Sequence, residues 1–135
     1  MITRLILRIA VILLGVGFLY VGSMGFFRPE RLAVVLDFNP ETLVGLGSVR
    51  ALVGAQYLAM GLTAIVAAVR GHWSWLAPLA AIEGCMVLAR ILSGFEGEWS
   101  PNGMTTLIME VVSCLLLGLG AVLPNRLSQQ PRSAA

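Results

Sequence analysis

Apolar residues fill four long stretches of this chain, and polar residues gather in the short intervals between them. The stretches cover about residues 5–27, 48–69, 75–94 and 104–123. Each is about twenty residues long, which is what a helix rising 1.5 Å per residue needs to cross a roughly 30 Å hydrocarbon layer. In the first stretch Gly15, Gly22 and Gly25 fall close to one stripe, with Gly17 nearby. In the second, Arg50, Gly54, Tyr57 and Gly61 repeat at helical spacing and share a face, which suits a close neighbour or a ligand. Small residues matter here because helices in lipid associate by close packing, without a hydrophobic drive.

The intervals carry their own signals. Arg28-Pro29-Glu30-Arg31 reads as a helix start, since proline is tolerated in a first turn. Leu32, Val35 and Leu36 follow at i, i+3 and i+4, which predicts a short amphipathic helix. Asp37-Phe38-Asn39-Pro40 ends it, and Asn39 to Glu41 can begin another turn. An anchor lying on the headgroups is preferred over a lid. Trp73 and Trp75 mark a membrane–water interface in the second loop, where His72, the only histidine, is read as solvated. The third loop, residues 95–103, holds Glu96, Glu98, Trp99 and a turn at Pro101-Asn102-Gly103. Pro124-Asn125 is expected to stop the fourth span. Residues 1–124 then form one membrane domain, and 125–135 a polar, disordered cytoplasmic tail. Tyr20, deep in the first span, is read as a packing residue.

Composition agrees with the pattern. The chain has 135 residues, 58% of them hydrophobic and 12% charged. A soluble domain has about a quarter charged residues, so this is a membrane composition, with room for four spans and no soluble domain. A net charge of +2 gives no argument for nucleic acid. Arg4 and Arg8 precede the first span, as they would in a signal peptide, but the apolar run exceeds the usual h-region of about 7–15 residues. A retained span is preferred, with cleavage near Ser23 as the lesser alternative.

All nine basic residues are arginines. Arg4, Arg8, Arg70, Arg126 and Arg132 fall on one side of the membrane. Arg28 and Arg31 fall on the other, offset by Glu30, Asp37, Glu41, Glu96 and Glu98. This asymmetry predicts that both termini are cytoplasmic, with the bundle expected in an inner membrane. Short loops make neighbouring spans antiparallel. The expected fold is all-α and membrane-integral: an antiparallel four-helix transmembrane bundle with a short interfacial helix between spans 1 and 2. Cys85 and Cys114 lack metal-ligand spacing and are read as small packing residues. No metal and no cofactor are expected.

The candidate chemistry lies inside the spans. The third span carries Glu83 and Arg90, seven residues apart and so on one face about 10 Å apart. Arg50 stands near the outer end of the second span, Arg90 about four residues below the outer end of the third, and Glu110 about 9 Å below that of the fourth. Glu83 is deepest. The depths predict that Arg50, Arg90 and Glu110 converge in the outer half, with Glu83 and Tyr57 beneath. Each charge left alone costs about 2.5–3.5 kcal/mol near a span centre, so partners are required.

The stretches V-R-A-L-V-G-A-Q-Y-L-A-M-G-L at 49–62, A-R-I-L-S-G-F-E-G at 89–97 and L-I-M-E at 107–110 resemble a small bacterial four-helix membrane family, domain of unknown function 4345. On this resemblance Arg50, Gly54, Gly61, Arg90, Ser93, Gly97 and Glu110 sit at characteristic positions. Gly54-Ala55-Gln56-Tyr57 stands where the family is expected to read Gly-Gly, and Glu96 where Asp is more usual. The resemblance implies topology and site location, and no activity.

Four functions fit such a chain. The first is binding of an amphipathic molecule, such as a lipid or quinone, in an outer-half pocket of Arg50, Tyr57, Glu83, Arg90 and Glu110. The second is a scaffold for a membrane-protein partner or a homo-oligomer. The third is an intramembrane enzyme acting on a hydrophobic substrate, with Glu83 or Glu110 as general acid or base. The fourth is an oligomeric proton-coupled transporter. Binding and scaffold rank ahead of the enzyme, because the spans contain no histidine and no nucleophile beside a base. The transporter ranks last, because no span is broken and no repeat is evident.

Overall fold

The structure, a computed structural model, describes residues 2–36, 43–95 and 101–129, without the side chains of 43–44 and 124–129. The break expected at 37–42, the acidic loop at 96–100 and the last six residues lie outside the described residues. Everything described is helix or short connection, with no strand. Helix α1 covers Ile2–Phe27, α2 Pro29–Val35, α3 Leu43–Ser48, α4 Ala55–Arg70, α5 Leu76–Phe95 and α6 Pro101–Gln129. Val49–Gly54 is a π-helical turn that joins α3 to α4. Four segments are long and apolar enough to cross a membrane: Ile2–Phe27, Gly45–Arg70, Trp73–Phe95 and Pro101–Leu123. The fold is therefore an all-α membrane bundle with a short extra helix between spans 1 and 2.

Periodicity decides what faces inward. Along α1, Leu7, Val11, Gly15, Phe18, Gly22 and Gly25 are buried, at steps of three or four. This stripe meets α4. A methyl placed on Gly22 would stand 2.5 Å from the Leu58 amide nitrogen, and one on Gly54 2.6 Å from the Gly25 carbonyl carbon. One on Gly61 would stand 2.7 Å from the Gly15 carbonyl oxygen. Gly22, Gly54 and Gly61 are therefore pressed against a neighbour, and any side chain there would push the backbones apart. Gly17 has open space around it and takes no part.

Arginines close both ends of this pair. Arg8 donates from Nε to the Ala68 carbonyl at 2.7 Å and from Nη2 to the Val69 carbonyl. Those are last-turn carbonyls of α4, which have no partner within their own helix. Arg50 does the same for α1, donating from Nε to the Phe26 carbonyl at 2.8 Å. Gly71, at φ 74°, then turns the chain out of α4, and the His72 N–H donates to the Ala67 carbonyl at 2.9 Å. His72 stacks on Trp75, with ring centroids 5.3 Å apart.

The observed elements differ from the expected ones at four places. Pro101 opens α6 and does not end a loop, because a first-turn proline sacrifices no helical hydrogen bond. Pro124 does not stop α6, which continues to Gln129; an interior proline removes one backbone donor and can be absorbed as a bend. Helix α2 buries Pro29, Leu32 and Ala33, while Val35 and its neighbour Val34 are exposed. The reason is docking: Leu32 packs over Gly25 of α1, which fixes the rotation of a helix only seven residues long. Cys85 is exposed, because two residues from buried Glu83 is about 200° around the helix. Cys114 does pack inward, its Sγ donating to the Ala80 carbonyl at 3.4 Å.

Candidate functional site

Helices α5 and α6 each place a carboxyl on their inward stripe. Leu76, Leu79 and Glu83 are buried on α5, at i, i+3 and i+7. On α6 the buried stripe is Glu110, Ser113, Leu117 and Gly120. Glu83 is 1% exposed and Glu110 3%. Both positions would be aliphatic if packing alone had chosen them.

Glu110 is satisfied. The Nε–H of Arg90 donates to both of its carboxylate oxygens, at 2.8 and 2.9 Å. The Arg90 side chain is 30% exposed, so it reaches the buried carboxylate from the edge of the bundle. Glu110 lies nine residues into α6, about 13 Å at 1.5 Å per residue, deeper than the loop boundary suggested. Ser113, one turn on, donates from Oγ to the Met109 carbonyl at 2.8 Å and so needs no further partner.

Glu83 is not satisfied. Both carboxyl oxygens are buried and neither has a hydrogen-bond partner. A buried polar group left unpaired costs about 1–3 kcal/mol, and more if charged. Tyr57 of α4 faces the same region. Its ring packs on Phe18 with centroids 5.4 Å apart, and its hydroxyl lies 4.0 Å from Met86 Sδ, a weak acceptor at long range. Tyr57 lies within electrostatic reach of Glu83, Glu110 and Arg90, and Glu83 within that of Glu110.

Four of the five residues singled out from the sequence thus gather where α4, α5 and α6 meet: Tyr57, Glu83, Arg90 and Glu110. Arg50 stands apart, exposed and bonded to the end of α1. The expected balance of two arginines against two glutamates does not form among the described residues. The physical reason is the π-helical turn: the Ala55 N–H reaches back five residues to the Arg50 carbonyl, so the turn is wider than the α-period assumed for that face. Met86 and Arg8 carried no readable signal. The partner of a sulfur or of a helix end depends on which helices become neighbours. Among the described residues no three His, Cys, Asp or Glu side chains stand together to hold a metal ion.

Two surface grooves lie away from this cluster. One is lined by Tyr20, Ser23, Met24, Phe27, Arg28 and Arg31, the other by Arg4, Leu5, Arg8, Gly71 and Trp73. Tyr20 is therefore a surface residue and not a packing one, because it points away from the glycine stripe that meets α4.

Fold and site together define a class: a four-span helical membrane protein with an ion pair and an unpaired carboxyl inside the bundle. Residues 6–121 match the family described as Domain of unknown function (DUF4345), and the chain belongs to that family. No curated protein and no solved structure matches it.

Proposed function

We propose that this protein binds an amphipathic molecule inside the membrane, lipid-like or quinone-like, with the polar head at Glu83 and Tyr57. The observation that carries this reading is the Glu83 carboxyl, 1% exposed with both oxygens unpartnered. A ligand bearing a hydroxyl or carbonyl oxygen would satisfy it, and would give the Tyr57 hydroxyl a better partner than Met86 Sδ. Arg90 and Glu110 then form the fixed wall of the site. Intramembrane ionisable groups mark functional sites by default, which supports the same reading. The scaffold reading accounts for the Arg90–Glu110 bridge, since a bridge can join helices without any other role. It gives no account of Glu83.

In this reading the protein lies in an inner membrane with both termini in the cytoplasm, as the arginine asymmetry suggests. Reporter fusions after Gly97 and after Leu127 test the orientation, with a periplasmic signal expected from the first and a cytoplasmic signal from the second. Native mass spectrometry of protein extracted from its own membrane tests the binding. One defined small molecule should be retained by the wild type and lost from Glu83→Leu and Tyr57→Phe. Equal retention by wild type and Glu83→Leu would remove Glu83 from the site. A second protein retained in place of a small molecule would favour the scaffold.

A further inference from the structure

The groove at the end of α1 carries a second kind of chemistry. Tyr20, Ser23, Met24 and Phe27 are spaced i, i+3, i+4 and i+7, so they form one face of α1. Arg28 and Arg31 continue the line past the end of the helix. These six residues enclose an open groove of about 380 Å³. It lies outside the bundle: α1 turns its glycines toward α4, while Tyr20 and Phe27 are 68% and 74% exposed. Arg28 is fixed at the corner. Its N–H donates to the Met24 carbonyl at 2.8 Å, and its own carbonyl accepts from the Arg31 N–H at 3.0 Å. Both guanidinium groups are exposed, and among the described residues neither is engaged in a hydrogen bond or ion pair. Glu30, between them in sequence, does not line the groove.

The depth of these groups constrains the occupant. The guanidinium groups stand where a membrane span ends, which is headgroup level. The Tyr20 to Phe27 face runs about 10 Å down from there, into the zone of the acyl chains. A soluble anion would use the arginines and leave the apolar floor unused. A neutral lipid would use the floor and leave the two exposed guanidinium groups unused. An anionic phospholipid uses both, because a guanidinium fork matches phosphate oxygens and an acyl chain can run down the face from Met24 to Tyr20. We propose that Arg28 and Arg31 form a headgroup site for an anionic phospholipid whose acyl chain lies along the Met24, Ser23 and Tyr20 face below them, separate from the Glu83 cluster and independent of its function.

The test uses delipidated full-length protein in detergent, titrated with phosphatidylglycerol, phosphatidylcholine or inorganic phosphate and followed by native mass spectrometry. Phosphatidylglycerol should bind about thirtyfold more tightly than phosphatidylcholine, since each basic group at an anionic headgroup contributes about 1 kcal/mol. The double variant R28Q/R31Q should erase that preference, and Glu83→Gln should leave it intact. If the double variant does not fold, R28Q and R31Q singly should each lower phosphatidylglycerol binding about fivefold. Equal binding of the two lipids, no loss in the arginine variants, or displacement of bound lipid by millimolar inorganic phosphate would each overturn the proposal. The last result would identify a soluble-anion site.

Discussion

Helices α1 and α4 meet backbone to backbone at their glycines, with Arg8 of α1 closing the end of α4 and Arg50, in the π-helical turn before α4, closing the end of α1. Helices α5 and α6 meet differently, through the Arg90–Glu110 bridge and the Cys114 contact to Ala80. In the first pair Arg8 and Arg50 each satisfy a helix terminus. In the second, one arginine serves one carboxylate, and a second carboxyl, Glu83, is left over. The first pair is explained by packing alone. The second contains a group that packing does not explain. The contrast separates the part of the bundle that holds the fold from the part available for chemistry.

The two helix pairs should respond differently when each is disturbed separately. Arg90→Gln strands Glu110 as a buried charge and should cost about 3–5 kcal/mol of stability, read as a fall in thermal midpoint in detergent. Adding Glu110→Gln should restore much of that loss. If Arg90→Gln alone costs nothing, the bridge is not what joins α5 to α6. In the first pair, Gly22→Val should cost about 3 kcal/mol, at the upper end of overpacking, because the obstacle is the Leu58 backbone and not a movable side chain. Arg8→Gln uncaps α4 and should cost about 1–2 kcal/mol, with hydrogen exchange rising first at the α4 end. Smallest is Gly17→Ala, which meets nothing within 4 Å and should stabilise α1 by up to about 1 kcal/mol through helix propensity. A marked loss in Gly17→Ala would mean that the glycine seam is placed wrongly.

The sequence already showed most of the architecture, for a physical reason. Spanning a bilayer requires a long uninterrupted apolar run, and such runs can be counted. The Gly15, Gly22 and Gly25 stripe was legible because helical period alone places those residues together. Arg90 and Glu110 were legible because a buried charge in lipid needs a counter-charge and few candidates exist. Arg50 was not, since a single π-helical turn resets the facing of everything before it and has no sequence signature. Pro101 and Pro124 misled because proline marks both helix starts and helix ends, and only neighbouring packing decides between them. The isolation of Glu83 was also hidden. It follows from Arg90 choosing Glu110, and that choice depends on how α5 and α6 are rotated against each other.

In the proposed reading, Glu83 is kept at a cost to stability because it meets a ligand. Thermal unfolding of delipidated protein in detergent, wild type against Glu83→Leu, separates this from a structural role. Replacing an unpartnered buried carboxyl with a packed aliphatic group of similar size should raise the midpoint, by an amount reflecting about 1–3 kcal/mol. A midpoint lowered by several degrees would show that Glu83 has a structural partner within the bundle, and would contradict the account.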